Sequence, residues 1–257
     1  MKSNIPELLV GPPGVGKTAT TMAKYDYTEL VLLSSYWEEH LSGIPYREGN
    51  KERRTIPYFV ERIQEQVNIG KKKICLFFDE MDKSRREVAD TMLTLITDRE
   101  RFGIPSFVDI VAAANPPEYG GGDGISSAML SRFSIIDYEI DVENWLTFMR
   151  KKYQEKYGKI YDKFEEGILS KKLNTFEMVG DGFNQRISCP RTYDMVFAVL
   201  DSDNYVKKVQ GLLTTNSSSF ILSLLQDNKE FENLNKKVQD LARSIGRSVF
   251  NKKPLRL

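Results

Sequence analysis

The residues best placed to do chemistry form a glycine-rich run near the start of the chain. Residues 11–18 read GPPGVGKT, a pattern in which backbone N–H groups and a lysine surround phosphate groups. A strand must turn sharply into a helix here, and glycines let the backbone approach the phosphates closely. The predicted nucleotide-binding residues are Gly11, Pro12, Pro13, Gly14, Val15, Gly16, Lys17, Thr18 and Ala19. A chance glycine turn is the alternative, but an apolar strand pattern precedes the run and small residues follow it.

A second candidate is an acidic pair at the end of an apolar run. Residues 74–80 read ICLFFDE, so Asp79 and Glu80 follow a predicted buried strand. Beside a phosphate site, Thr18 and Asp79 are the expected Mg²⁺ ligands, with the carboxylate usually acting through water. Glu80 is the expected general base, which orients and polarises the attacking water. Taken alone, the pair has the alternative of a strand end that is acidic by chance.

The elements that must position these residues alternate along the first half of the chain. Continuous apolar runs are typical of strands buried on both faces of a parallel sheet. They occur at residues 7–10, 30–33, 74–78, 108–114 and 135–140. Helical patterns lie between them at residues 58–67 and 84–96, and Ser84 with Glu87 predicts a capping box for the second. The alternation predicts an α/β domain over residues 1–141.

After residue 141 the apolar pattern becomes helical, and no strong strand pattern appears. One helix face is formed by Trp145, Phe148, Met149, Tyr153 and Tyr157. Another is formed by Phe231, Leu234, Val238, Leu241, Ile245 and Val249. We therefore expect residues 142–257 to form a second, all-helical domain. Its aromatic faces are expected to pack in a core rather than against a ligand.

The composition of the chain indicates which cellular location and which kinds of partner to expect. Lys and Arg number 37 and Asp and Glu 36, so the net charge of +1 gives no whole-chain signal for nucleic acid or membrane. No apolar run is long enough to span a bilayer, and the first residues lack the apolar run of a signal peptide. With Cys75 and Cys189 as the two cysteines, a cytoplasmic location is expected. His40 is the one histidine, which argues against a histidine-rich metal site.

Four further stretches, together with these two candidate sites, resemble the AAA+ ATPases. They are residues 38–45 (EEHLSGIP), 111–117 (VAAANPP), 131–133 (SRF) and 189–192 (CPRT). Within that superfamily the chain is similar to the MoxR-like lineage, which includes activators that work beside von Willebrand A-domain proteins. The matching stretches run from Gly11 to Thr192 and so cover most of the chain.

The resemblance implies a fold and roles for three more residues. It implies a P-loop αβα sandwich with a parallel five-stranded sheet at residues 1–141, followed by a smaller helical lid at residues 142–257. Asn115 would be the sensor-one residue, Arg132 the arginine finger and Arg191 sensor two, so these three join Glu80 as expected catalytic residues. An amide can hold water, and guanidinium groups can neutralise charge on the γ-phosphoryl oxygens. The plainer alternatives are a turn former, a surface ion pair and a structural helix start.

The resemblance also implies partners. ATP and Mg²⁺ are the expected cofactors. A homo-oligomer, most simply a hexameric ring, is expected because Arg132 would act on a neighbouring subunit's nucleotide. The expected client is a protein, such as a von Willebrand A-domain protein, with neither nucleic acid nor a membrane indicated. A nucleic-acid-linked motor or loader and a slowly hydrolysing switch or scaffold stay open as alternatives. Residues 36–54 are either a partner-facing insert or a solvated charged surface.

Overall fold

The computed structural model describes residues 5–119 and 125–226. Within these residues the chain divides into two compact units, one ending at Glu139 and the other beginning at Ile140. None of the helices in the described ranges is long and apolar enough to cross a membrane. The predicted helix face from Phe231 to Val249 lies outside the described residues.

A five-stranded parallel sheet forms the centre of the first unit. The strands of this unit are β1 (Glu7–Val10), β2 (Tyr27–Leu32), β3 (Pro45–Glu48), β4 (Lys51–Arg54), β5 (Ile74–Asp79), β6 (Asp109–Ala114) and β7 (Ser134–Asp137). The sheet has the order β2-β5-β6-β1-β7, and each neighbouring pair is parallel. The predicted parallel five-stranded P-loop sandwich is therefore confirmed. Strands β3 and β4 form a separate antiparallel hairpin, which the sequence patterns did not predict.

The central strands are buried on both faces, which explains their unbroken apolar sequences. In β5 every residue from Ile74 to Phe78 is buried. In β1, Leu8 and Leu9 belong to separate apolar clusters, because successive side chains of a strand point to opposite faces. Helices therefore cover both sides of the sheet, as expected for strands joined by crossover connections.

The helices of this unit are α1 (Lys17–Met22), α2 (Glu38–Ser42), α3 (Tyr58–Ile69), α4 (Arg86–Thr97) and α5 (Ser127–Leu130). Three of them, α1, α3 and α4, lie where the sequence predicts them, whereas the short helices α2 and α5 were not predicted. The predicted capping box at Ser84 is wrong, because the N-cap of α4 is Arg85. The Ser84 hydroxyl instead donates to the Met81 carbonyl oxygen at 2.9 Å, within the turn that precedes the helix.

Strand β2 begins three residues before the apolar run, and it contains a buried carboxyl group. Glu29 is 1% exposed and is paired with Arg62 of α3, whose Nε donates to Glu29 Oε1 at 3.1 Å. The Tyr27 hydroxyl donates to the other carboxyl oxygen at 2.5 Å. Burial, together with this hydrogen bond, raises the pKa of Tyr27 to about 12. The pair joins an edge strand to the helix that covers it.

The second unit is mainly helical, but it also contains a hairpin. Its elements are α6 (Val142–Tyr157), α7 (Lys159–Leu169), β8 (Glu177–Val179), β9 (Arg186–Ser188), α8 (Pro190–Val199), α9 (Tyr205–Leu212) and α10 (Thr215–Gln226). The expectation of an all-helical domain is corrected by the antiparallel strands β8 and β9. Each has three residues, which is too short to produce an alternating pattern in the sequence.

An aromatic core holds the helices of the second unit together. Phe197 of α8 stacks on Tyr153 with ring centroids 5.0 Å apart and meets Phe164 edge-on at 5.1 Å. The Tyr161 and Tyr157 hydroxyls donate to backbone carbonyl oxygens, so these buried rings leave no polar group unpaired. Four residues of the predicted face of α6 pack in this core: Trp145, Met149, Tyr153 and Tyr157. The prediction was wrong for Phe148, which is exposed.

The ion pair between Glu29 and Arg62 should contribute more to the free energy of unfolding than an exposed ion pair does. Arg62→Ala leaves a buried carboxyl group without its cation, so we expect a loss of about 3 kcal/mol in the free energy of unfolding. Arg53→Ala is the matched control, because Arg53 pairs with Glu48 on an exposed hairpin, where we expect a loss below about 1 kcal/mol. Urea unfolding measures both, and equal losses would contradict the assignment.

Candidate functional site

The glycine-rich run connects β1 to α1 through a turn that requires glycine. Gly14 and Gly16 have φ values of 75° and 102°, which other residues rarely adopt. The start of the run is held closely, since Gly11 N donates to Ala114 O at 3.3 Å in β6. A Cβ atom on Gly11 would lie 2.6 Å from the backbone oxygen of Tyr138. The loop is therefore fixed against the ends of β6 and β7.

Lys17 points into this loop and is 8% exposed. Its ammonium group donates to Gly11 O at 2.7 Å, to Pro12 O at 2.9 Å and to Asn115 Oδ1 at 2.9 Å. A buried ammonium is stable only when oxygen atoms surround it in this way. The structure thus brings Asn115, which is 98 residues away in the sequence, to the glycine-rich loop.

Thr18, the residue after Lys17, is hydrogen-bonded to Asp79. The Thr18 hydroxyl donates to Asp79 Oδ2 at 2.8 Å, which joins the start of α1 to the end of β5. Hydroxyl and carboxylate oxygens are ligands that suit Mg²⁺, which commonly takes its other ligands from substrate phosphates and water. No group of three or more His, Cys, Asp or Glu side chains that could hold a metal lies within the described ranges. The Thr18 hydroxyl and the Asp79 carboxylate could supply two of the oxygen ligands of a Mg²⁺ ion.

Glu80 occupies an unusual backbone conformation directly after β5. Its φ of 55° lies in the left-handed region, which costs a non-glycine residue about 1–3 kcal/mol and is often found at functional sites. Its carboxyl group accepts a hydrogen bond from the Ser34 hydroxyl and lies 3.5 Å from the Lys83 ammonium. Its backbone N–H donates to Asp79 Oδ1 at 2.9 Å. The left-handed turn directs the Glu80 carboxyl group toward the end of β2.

The site also includes three residues that the sequence patterns did not predict. Ser34 follows β2, which is the neighbour of β5 in the sheet, and a polar residue after a strand was the available signal. Asp82 Oδ1 accepts a hydrogen bond from the Asn115 backbone N–H at 3.0 Å. The Tyr138 hydroxyl donates to Thr20 Oγ1 at 2.7 Å, on α1. Residue 138 was predicted to lie within a strand, but β7 ends at Asp137.

The two predicted catalytic arginines, Arg132 and Arg191, are both exposed. Arg132 is exposed, and its guanidinium group donates to Ala128 O at 2.6 Å, to Thr97 Oγ1 at 3.2 Å and to Ser131 Oγ at 3.3 Å. These partners belong to the ends of α4 and α5. Arg191 is the second residue of α8, in the other unit, and is exposed. Within the first unit, the structure therefore gathers Lys17, Thr18, Asp79, Glu80 and Asn115, while Arg132 makes its hydrogen bonds at the ends of α4 and α5.

Comparison with known families identifies the first unit. Residues 6–133 match the family model described as AAA domain (dynein-related subfamily). The match covers about half of the chain and includes the phosphate loop, the acidic pair, Asn115 and Arg132. Residues 6–133 are thus similar to AAA domains, a class of domain that in general hydrolyses nucleotides. The finer MoxR-like assignment stays a prediction.

Among solved structures, the chain is similar to RuvB of Thermotoga maritima. One structure is described as the RuvB Holliday junction branch migration motor; it is 16% identical, with a TM-score of 0.44, over 85% of this chain and 60% of that chain. A single-site variant of the same protein has a TM-score of 0.47 with the same identity and coverage. The chain thus spans less than two thirds of these RuvB chains. No curated protein matches it.

Because the backbone at Tyr138 lies so close to Gly11, a larger residue at position 11 should disturb the loop. In Gly11→Ala the new methyl group must displace backbone at Tyr138, so we expect a loss of about 1–3 kcal/mol in stability. We also expect nucleotide affinity to fall about tenfold or more, since small misplacements of binding groups are costly. Thermal unfolding and titration with a fluorescent nucleotide measure both.

Gly211→Ala is the matched control for this substitution. Gly211 lies in α9 with open space around its Cα, so alanine there should leave nucleotide affinity unchanged and raise stability slightly. A Gly11→Ala protein that behaved like Gly211→Ala would show that the loop is not fixed as described.

Proposed function

We propose that this AAA domain binds ATP with Mg²⁺ and hydrolyses it to ADP and phosphate. The observation that carries the proposal is the meeting of three distant segments in one network of hydrogen bonds. Lys17 contacts Asn115, and Thr18 contacts Asp79. These residues follow or end strands β1, β5 and β6, whose carboxyl ends lie at one edge of the parallel sheet. Ligands of open α/β sheets commonly bind at that edge.

The side chains supply the groups that phosphoryl transfer to water requires. Lys17 offers positive charge to the β and γ phosphates, and Thr18 with Asp79 would hold Mg²⁺. When bound, Mg²⁺ would neutralise charge on the phosphate oxygens. Glu80 is assigned as the base that takes a proton from the attacking water, and Asn115 would help to hold that water.

The assignment of Glu80 can be tested with one conservative substitution. Glu80→Gln keeps the size and hydrogen-bonding groups of the side chain but removes its basicity, so we expect turnover to fall by about a thousandfold. ATP affinity should stay near the wild-type value. Phosphate release and nucleotide titration measure the two quantities.

Glu87→Gln is the matched control for Glu80, because Glu87 is exposed in the first turn of the next helix. It should hydrolyse ATP at the wild-type rate. Normal hydrolysis by Glu80→Gln, or equal losses in both variants, would refute the role of Glu80.

We further propose that the chain works as a ring, most simply a hexamer, that remodels or activates a protein client. Arg132 supports the ring, because it is exposed and its hydrogen bonds go to α4 and α5 rather than to the phosphate loop. Such an arginine can reach the nucleotide of a neighbouring subunit. In this proposal the second unit is a lid, and its Arg191 is the sensor-two residue. The client would be a protein of the von Willebrand A type, as the MoxR-like resemblance suggests.

Mixing two inactive variants tests whether Arg132 acts on a neighbour. Arg132→Ala subunits retain Glu80, and Glu80→Gln subunits retain Arg132, so mixed rings would contain complete sites. We expect the mixture to recover ATPase activity that neither variant has alone. No recovery, together with a monomeric size in the presence of a non-hydrolysable ATP analogue, would contradict the ring.

Measurement of ATP turnover also distinguishes a protein client from a nucleic-acid partner. Wild-type turnover is measured with single-stranded DNA, with double-stranded DNA and without either. We expect no stimulation. Stimulation by DNA would favour a nucleic-acid-linked motor over the protein-remodelling proposal, while leaving the ATPase proposal intact.

A further inference from the structure

The turn after β5 directs two acidic side chains to two different neighbours. Residues Met81–Lys83 form a single 3₁₀ turn that packs against the end of β6 and against the turn after β2. The left-handed conformation of Glu80 begins this turn. As a result, the Glu80 carboxyl group contacts Ser34 after β2, while the Asp82 carboxyl group contacts Asn115 after β6.

The Asp82 carboxyl group is buried although only one of its two oxygens accepts a hydrogen bond from the described residues. It is 7% exposed, and Oδ1 accepts one hydrogen bond, from the Asn115 backbone N–H at 3.0 Å. Its Oδ2 atom is buried and has no hydrogen-bond partner among the residues that the structure describes. A buried carboxyl oxygen without a donor costs stability, so folding alone would favour a smaller or apolar side chain here. The cost indicates a task beyond packing.

The two hydrogen bonds of Asn115 indicate what the Asp82 carboxyl group does. The Asn115 backbone is held by Asp82, and its side-chain oxygen accepts from the Lys17 ammonium at 2.9 Å. Asn115 is followed by two prolines, whose nitrogen atoms carry no hydrogen, so the N–H of Asn115 is the last backbone donor at the end of β6. A single acceptor on Asp82 thus fixes the point from which the Asn115 side chain projects.

We propose that Asp82 is a positioning residue that acts through Asn115. This inference rests on the proposed ATPase, in which Asn115 helps to hold the attacking water. Loss of the Asp82 acceptor releases the end of β6, and the Asn115 amide then no longer holds that water at a fixed place. Nucleotide binding is spared, because Lys17 is still oriented by the carbonyl oxygens of Gly11 and Pro12.

The test compares two substitutions of Asp82. Asp82→Leu is close in size and removes the acceptor, and it also removes the unpaired oxygen, so the variant is expected to fold. We expect it to lower kcat by about tenfold to a hundredfold, as misplaced catalytic groups do, with nucleotide affinity unchanged. Asp82→Asn keeps an acceptor oxygen and should restore kcat toward the wild-type value. Should Asp82→Leu not fold, Asp82→Ala replaces it in the same series.

A double-mutant cycle separates positioning from a general structural effect. Asn115→Ala keeps the backbone N–H that Asp82 holds but removes the side chain through which Asp82 is proposed to act. In the Asn115→Ala background, Asp82→Leu should therefore cause no further loss of kcat. Hydrogen exchange at the Asn115 amide provides a readout that needs no activity, and Asp82→Leu should accelerate it.

Each contrary result overturns a distinct statement. Normal kcat in Asp82→Leu, additive losses in the cycle, a parallel loss of nucleotide affinity or unchanged exchange at Asn115 would overturn the positioning role while the ATPase stands. A wild-type protein that binds nucleotide without hydrolysing it would overturn the proposed function and this inference together.

Discussion

Lys17 carries a buried ammonium group, and the arrangement of the site follows from the need to surround it with oxygen atoms. Two of these oxygens come from the loop that holds the lysine, and the third comes from Asn115 at the end of a different strand. Burying a charge is costly unless such partners are present. The lysine therefore joins the start of α1 to the end of β6.

The turn after β5 meets a second constraint at the same edge of the sheet. Strand β5 lies between β2 and β6, so a side chain at its end has a neighbour on each side. Each acidic residue of segment 79–82 contacts a different partner. Asp79 contacts Thr18, Glu80 contacts Ser34 and Asp82 contacts the backbone of Asn115. Glu80, at the centre of this segment, adopts a left-handed backbone conformation. The acidic segment thereby connects α1 with the ends of three strands.

The second unit is stabilised in a different way from the first. It has no large sheet among its described residues, and its helices pack through aromatic rings whose hydroxyl groups are paired with backbone oxygens. Such rings bury large areas and restrict each other's orientation. An independent core of this kind allows the unit to fold around its own contacts, which suits the lid proposed for it.

The sequence by itself determined the glycine-rich turn, the acidic strand end and the parallel sheet. These features are readable because each is local: a motif of eight residues, a strand with its last carboxylates, and apolar runs without alternation. The hairpin β8–β9 was not predicted because each of its strands has three residues. The hairpin β3–β4 was not predicted because its strands are exposed and mostly charged, so they have no apolar run. The capping box at Ser84 was wrong because the preceding turn uses the Ser84 hydroxyl.

Only the tertiary structure decided which polar residues meet across the strand ends. Ser34 reaches Glu80 and Asp82 reaches Asn115 because the strands that carry them are neighbours in the sheet, not in the sequence. Tyr138 reaches α1 in the same way, across 118 residues. Strand order and register arise from the packing of the whole sheet against its helices. A residue's own neighbours along the chain therefore carry no record of its partner across the sheet.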